Sequence, residues 1–522
     1  MYEKVFNPKT NNKVITNIEV DNTGSIEDLV SWLEEGTRRI DTQPGNPGYK
    51  LFNAEVYISQ LSTWWGSFKS GMVNLGPFFC RLLTAEDRLV TAKPAPNIAI
   101  TQEALNHPIH FLLKDDSLEE RLSKQFRRAF GSDLIVHRNA GSIVPLYVGE
   151  RPTPAPGADR VSHDYIQQLE KLPTLETQGD GMRSYVGVLL HTSVGRESVL
   201  LIDEPEAFLH PPQARQLGKM LVAEKPHDRQ LFIATHSGDV LRGVLDSNSP
   251  NVRVIRIRRD GDINRVRELR NEQVAELWND PLLRYSNILD GLFHEKVVLG
   301  ESDSDCRFYA AITDVVCGSE SAERARPAVM FTHCGGKARL PMVLRALRNL
   351  DVPVACVTDF DVLNDEQPLR AIVEAAGGDW AAVSADWKLV KTSIDSKKPE
   401  LNAEEVTRDI QGILGSIADT TFPASAKRQI QAVLRRSSPW SHAKSVGKAC
   451  VPSGDPTKAY NRLILKLRGY GIFVVEVGEL EGFARSVGNH GPTWVNEVLQ
   501  RDLKSDPELA AAREFVSALV CP

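Results

Sequence analysis

The run Ser198-Val-Leu-Leu-Ile-Asp-Glu-Pro-Glu-Ala-Phe-Leu-His-Pro-Pro212 constrains this chain more than any other stretch. Its four consecutive apolar residues, Val199 to Ile202, show no polar alternation, so they suit a strand buried on both faces of a parallel sheet. The strand delivers two carboxylates, Asp203 and Glu204, to its carboxyl end, where open α/β sheets bind their ligands. One carboxylate placed there can hold Mg²⁺, usually through water, and its neighbour can polarise the water that attacks a phosphoryl group. A second apolar run, Gln230 to Ala234, closes on Thr235-His236-Ser237. The roughly 30 residues between the two runs leave room for one crossover helix, Gln213 to Ala223, between parallel strands.

The second half of the chain repeats the device. Glu295-Lys-Val-Val-Leu-Gly-Glu-Ser-Asp-Ser-Asp305 is again an apolar strand ending in acids, with Glu301 after the strand and Asp305 at the start of a helix, Cys306 to Val316. Val352 to Thr358 ends in Asp359-Phe-Asp361, and in extended chain residues i and i+2 share a face. Such carboxylates repel one another without a cation, and oxygen ligands of this kind suit Mg²⁺ or Mn²⁺. Between them Phe331-Thr-His-Cys-Gly-Gly-Lys-Ala338 reads as strand and glycine turn, placing Lys337 near the acids. A third strand, Gly471 to Val477, leads into Gly478-Glu-Leu-Glu-Gly482. His490, in Gly488-Asn-His-Gly-Pro-Thr-Trp494, is a weaker candidate, more in keeping with a structural role.

At 522 residues the chain exceeds one ordinary core, so two or three domains are expected. A net charge of −6 gives no global sign of nucleic-acid binding, so any basic surface must be local. One such stretch runs from Lys427 to Arg468: Lys427, Arg428, Arg435, Arg436, Lys444, Lys448, Lys458, Arg462, Lys466 and Arg468 stand against a single acid, Asp455. That pattern fits contact with a phosphate backbone, although a solvated helix face has the same composition. The seven cysteines are scattered without a CxxC pair and read as reduced, buried thiols. No apolar run approaches the roughly 20 residues of a membrane span, and the amino terminus lacks a signal-peptide pattern, so a cytoplasmic protein without membrane contact is expected.

Leu-Leu-Ile-Asp-Glu-Pro-Glu-Ala-Phe-Leu-His-Pro resembles the Walker B and D-loop segment of ABC-type ATPases, in the branch containing the OLD-family (overcoming lysogenization defect) nucleases and related repair ATPases. Thr235-His236-Ser237 resembles that family's switch histidine. The resemblance implies Asp203 as the Mg²⁺-associated acid, Glu204 as the water-polarising acid and His236 as the γ-phosphate sensor. Small residues opening a helix shortly before this strand, Leu175 to Ser184, match the position of the ABC signature motif, whose backbone N–H groups and hydroxyl face the γ-phosphate of the opposite subunit. Gln178, Gly179, Gly181 and Ser184 are the residues so implied, and with them a dimer. Glu301 and Asp359-x-Asp361 resemble the Toprim domain of topoisomerases, primases and OLD-family nucleases, with Glu301-Ser302 in place of the usual Glu-Gly. Gly478-Glu-Leu-Glu-Gly482 resembles the acidic segment closing the OLD-family site, with Glu481 preferred over Glu479.

The implied architecture is α/β throughout: an ABC-type ATPase domain with a P-loop NTPase-like sheet over residues 1–290, then a Rossmann-like Toprim domain over 291–522 carrying a basic helical insertion at about 385–465. The implied activity is Mg²⁺- (or Mn²⁺-) dependent cleavage of DNA at Glu301, Asp305, Asp359, Asp361 and Glu481, with Lys337 stabilising charge, under the control of ATP, by a homodimer or higher oligomer, in defence against phage. No GxxxxGK[ST] loop occurs in the sequence. Gly45-Asn-Pro-Gly-Tyr-Lys50 has glycines and a lysine but the wrong spacing, and reads as a loop. The expectation is that the chain begins downstream of its family's usual start; the other possibility is that ATP is not bound in the ordinary way. A regulatory or sensor protein that dimerises and acts through a partner protein is the alternative reading. An enzyme that joins or synthesises nucleic acid is disfavoured, because neither a topoisomerase-type tyrosine context nor a primase zinc motif is found.

Overall fold

Apolar strands feeding short helices build both halves of the molecule. The computed structural model describes residues 6–7, 12–13, 24–41, 45–51, 54–67, 74–100, 103, 105–195, 197–227, 229–260, 262–269, 278, 287–318, 328–397, 403–417, 421–435 and 439–520. Two units are separated at 271/272: Met1–Asn271 and Glu272–Pro522.

In the first unit the elements that carry the acid pair are β1 (Cys80–Leu83), α1 (Ala85–Thr91), α2 (Asp180–Val194), β2 (Val199–Asp203), α3 (Pro211–Glu224) and β3 (Gln230–Ala234). The strands form a parallel sheet in the order β3-β2-β1, with β2 central and Asp203 in register with Ala234. Leu200 and Ile202 of β2 are buried with Val186, Leu189 and Leu190 of α2 and with Leu217, Met220 and Leu221 of α3. The charged helix expected from Leu118 is present as Asp116–Phe130, and its Leu122 and Phe126 join the same core. The expected closing hairpin pairs Val254–Asp260 with Ile263–Leu269.

Two expectations are corrected here. Phe78 to Thr91 reads in sequence as a strand and hairpin, but β1 pairs in parallel with β2 and the chain then turns into α1. The cause is a capping box: Thr84 Oγ1 accepts from Asp87 N, and the Asp87 carboxylate accepts from Thr84 N. Within the stretch read as the loop Gly45–Lys50, Gly48–Leu51 is instead the middle strand of an antiparallel sheet, between Arg38–Ile40 and Ala54–Tyr57. Gln43 and Pro44 of the neighbouring loop reading, and Ser286 at the head of the expected inter-domain bridge, lie outside the described residues.

The second unit contains β4 (Lys296–Gly300), α4 (Asp303–Cys317), β5 (Val329–His333), α5 (Leu340–Asn349), β6 (Val354–Thr358), α6 (Trp380–Asp395), α7 (Ala424–Arg435), α8 (Pro439–Val446), α9 (Asp455–Gly469), β7 (Ile472–Val474), α10 (Gly491–Val498) and α11 (Ala510–Val520). Its four strands are parallel in the order β5-β4-β6-β7. Phe308, Tyr309 and Ile312 of α4 share a core with Trp494 of α10 and with Phe515, Val516 and Leu519 of α11. Cys306, Cys334, Cys356 and Cys450 are buried thiols. Among the described residues no helix is long and apolar enough to cross a membrane.

Candidate active site

At the carboxyl end of β2, Glu204 adopts φ +44° and Phe208 φ +72°, two left-handed residues within five positions. Side chains other than glycine hold that conformation only where the surroundings enforce it. Here the enforcement comes from Arg88, a residue sequence reading did not single out. Its fully buried guanidinium donates to Asp203 O (2.7 Å), Glu204 O (3.1 Å) and Ser184 Oγ (3.0 Å), tying the acid-bearing turn to α2. Gly187 lets α2 cross this point, since a Cβ there would stand 2.3 Å from Arg88 O. Asp203 and Glu204 remain exposed, and His236 Nε2 lies 3.0 Å from Glu204 Oε1. Glu206, also missed in sequence, accepts from Thr235 Oγ1 (2.8 Å) and His236 N (3.0 Å), so it fixes the two strand-end segments side by side.

The residues at the head of α2 divide. Gly179 is the exposed N-cap, and a Cβ on Gly181 would stand 2.7 Å from Phe208 O, so these positions abut the turn after β2. Gln178 is half-buried and donates to Thr174 O. Ser184 is fully buried with its hydroxyl spent on Arg88, inside the core and away from the exposed helix start.

In the second unit, four acids converge beyond the ends of β4 and β6. Glu301 Oε1 accepts from Asp359 N at 3.2 Å, binding the two strand-end turns together. Ser302, where the family's glycine would stand, is the N-cap of α4: its hydroxyl accepts from Asp305 N, and Asp305 Oδ2 accepts from Ser302 N at 2.8 Å. Lys337 Nζ donates to Asp361 Oδ1 at 2.8 Å, and Gly336 N donates to Glu301 O at 2.9 Å, so the glycine turn after β5 closes one side. Burial, and then the neighbouring Glu301 charge, pushes the Asp359 carboxyl up to about 8. Burial likewise raises Glu301 and Asp305, with Glu481 among the charges acting on Asp305. Buried carboxylates that repel each other this strongly are a donor set suited to a hard divalent cation.

The cation the cluster does hold is one the sequence hid among the basic residues of the insertion. Lys444 Nζ on α8 lies 3.8 Å from Asp359 Oδ2 and 3.5 Å from Glu479 Oε2. Its position follows from two glycines. A Cβ on Gly478 (φ +114°) would stand 2.1 Å from Lys444 O, and one on Gly447 (φ +62°) 2.0 Å from Glu476 O, so only glycine permits these backbones to abut. Phe360, between the two aspartates, is fully buried against Trp440 of α8 and Tyr460 of α9, with centroids 6.5 and 5.9 Å away.

Most of the basic stretch is spent internally. Arg462 and Lys466 pair with Asp386 of α6 (2.7 and 3.0 Å), Lys448 and Arg468 with Glu476 (3.0 and 2.7 Å), and Lys458 with Asp455 (3.2 Å). Lys427 and Arg428 are exposed on α7, while the Arg435 side chain and Arg436 lie outside the described residues. Glu479 and Glu481 both reach the site's edge, and the fold brings His490 to them, with His490 Nδ1 3.4 Å from Glu481 Oε1.

A parallel sheet ending in an Asp-Glu-His set, followed by a unit gathering acids at parallel strand ends, defines an ATPase joined to a metal-type phosphodiester centre. Comparison with known proteins agrees. Residues 66–242 match a family of AAA domains whose description names the AbiEii toxin of a type IV toxin–antitoxin system, and residues 292–361 match the Toprim domain of overcoming-lysogenization-defect-like proteins. The chain is an ATPase–Toprim fusion of OLD type. It is 35% identical over 88 residues to an uncharacterized protein (MJECL11) of Methanocaldococcus jannaschii, covering 16% of this chain and 77% of that one. It is 24% identical over 174 residues to the Old nuclease of Escherichia phage P2, covering 32% of this chain and only 28% of that nuclease. Among solved structures, an Smc head bound to the C-winged helix domain of ScpA aligns at 12% identity with a TM-score of 0.28, over 46% of this chain and 68% of that one.

Proposed function

We propose that this chain is a divalent-metal-dependent DNA endonuclease, in which the Toprim unit hydrolyses phosphodiester bonds and the ATPase unit controls it. The observation that carries the reading is the convergence of Glu301, Asp305, Asp359 and Asp361 with two lysines, Lys337 and Lys444. Glu301, Asp305, Asp359, Asp361 and Glu481 would hold Mg²⁺ or Mn²⁺, which when bound supplies an activated water and charge stabilisation at the leaving 3′ oxygen. Lys337 orients the Asp361 carboxylate for that task. Lys444 acts as a fixed positive charge and not as a base: burial pulls its pKa down, but Asp359, Asp361 and Glu479 outweigh burial and keep it protonated. Exposed Lys427 and Arg428 are the side chains of the insertion best placed to meet a DNA backbone.

Asp203, Glu204 and His236 would form the hydrolytic half of an ATP site, completed in a homodimer by the exposed head of α2. In that arrangement Gln178, Gly179 and Gly181 can present the helix start, while Ser184 serves Arg88. The resemblance to OLD-family proteins supports a role in defence against phage. The absence of a GxxxxGK[ST] loop from the sequence favours a second reading, in which the first unit is a dimerising sensor acting through a partner protein. Calorimetric titration with ATP separates the two, since clear binding argues against the sensor reading. For the nuclease itself, Asp359→Ala abolishes metal-dependent plasmid cleavage while leaving the circular dichroism spectrum unchanged; undiminished nicking by the variant overturns the assignment.

A further inference from the structure

We infer that Glu479, Glu481 and His490 form a second divalent-metal site with a mixed carboxylate–imidazole donor set, beside the all-carboxylate cluster and distinct from it. The inference deepens the nuclease reading, but it concerns metal binding and can fail separately from it.

Two segments distant in sequence build the site. Glu479 and Glu481 flank Leu480, which is buried in the core; the carboxylates on either side of it are left to meet outside. His490 is the N-cap of α10, and the turn is set by Gly491 at φ +58°. One ligand atom from each of the three side chains lies within 4.8 Å of the others. Glu481 Oε1 is already aimed at this point, because it accepts from Gly491 N at 2.7 Å. The two segments are clamped beneath the surface by Trp494, which is fully buried, donates from Nε1 to Ala484 O (3.1 Å) and packs on Phe308 with centroids 5.2 Å apart. The ligands thus project from rigid backbone, as a binding site requires. Phe360 N donates to Gly478 O at 2.8 Å, which holds the Glu479–Glu481 segment next to the Asp359–Asp361 turn.

The donor set determines the ion. Carboxylate and carbonyl oxygens alone suit Mg²⁺, whereas an imidazole nitrogen shifts preference toward Mn²⁺, Co²⁺ and Zn²⁺. The four-acid cluster is therefore the Mg²⁺-tolerant position, and the Glu479–Glu481–His490 position discriminates for first-row transition metals. Glu481 lies between them, near enough to Asp305 for its charge to act there.

The test loads the full chain with Mn²⁺ alone, counts bound metal after equilibrium dialysis, and reads ¹⁴N coupling by pulsed electron paramagnetic resonance. Wild type shows an imidazole-coupled Mn²⁺. His490→Ala loses that coupling and one bound equivalent, and His490→Asp keeps the equivalent without the coupling. Asp359→Asn keeps the coupling. Loss of a direct ligand should weaken binding by at least the roughly 10–100-fold seen for outer-shell changes. His490 is 78% exposed, so its substitution leaves the fold intact. Persistence of the nitrogen coupling or of the full metal count in His490→Ala overturns the site. Metal bound as described with no DNA cleaved overturns the nuclease reading and leaves the site standing.

Discussion

Lys444 Nζ stands 3.8 Å from Asp359 Oδ2, a contact between residues 85 positions apart (444 − 359) that puts a cation from the insertion into the acidic centre of the Toprim unit. The contact makes the insertion part of the site rather than an appendage to it.

If Lys444 stabilises charge during phosphodiester cleavage, Lys444→Met lowers the single-turnover rate by about 10²–10³-fold, the range found when one preorganised donor is removed. Lys444→Arg recovers part of the rate, since it retains the charge but not the compact geometry. Metal affinity gives the control: removing a competing cation from Asp359 leaves divalent-metal binding as tight as before or tighter. A fall in metal affinity equal to the fall in rate would place Lys444 in the scaffold instead.

Acid should destabilise the ATPase unit before it protonates most structural carboxylates. His107 is held down to about 4, first by burial and then by the charges of His110 and Arg81. A group whose folded pKa lies below its unfolded value of about 6.5 contributes stability that is present above 6.5 and lost as pH falls through about 4. The loss from this residue is at most about 3 kcal/mol. His107 Nδ1 also accepts from Ile109 N at 3.2 Å as the cap of the helix Pro108–Lys114. His107→Asn keeps a capping acceptor and removes the titration, so its denaturant midpoint falls less between pH 7 and pH 5 than that of wild type. Parallel curves for the two proteins would refute the linkage.

Arg88→Met should cost the ATPase unit about 3 kcal/mol or more, because it strands the carbonyls of Asp203 and Glu204 and the Ser184 hydroxyl in a buried position. Arg88→Lys does not rescue it, as one ammonium cannot reproduce the forked contacts. Chemical denaturation checks this, with an intrinsic-fluorescence transition shifted by the variant; a shift below about 0.5 kcal/mol, the size of an ordinary surface change, would contradict the role assigned to Arg88.

The acids were legible because their signal is local: an apolar run of four or five residues ending in carboxylates fixes both a parallel strand and where it delivers its charge. Glu301, Asp359 and Asp361 are found together on that logic alone. Arg88, Lys444 and His490 were not legible as neighbours of those acids, since each reaches its partners across the fold, from 85 to more than 100 positions away in the first two cases. The basic stretch misled for the same reason. Counted within Lys427–Arg468 it has one acid, but Asp386 and Glu476, which neutralise four of its cations, lie just outside the window. The misread hairpin after β1 had a signal in plain sight, Thr84-x-x-Asp87, a capping box ahead of an apolar helix face.

Phe360 gives the insertion its mechanical meaning. The residue separating Asp359 from Asp361 is the peg on which Trp440 and Tyr460 rest, so the helices of the insertion hang from the acidic turn itself. A load applied to those helices, such as a duplex pressing on α7, is delivered one peptide bond from each aspartate. The insertion is then a lever with its fulcrum at the blade, and gripping the substrate and setting the cutting edge become a single movement.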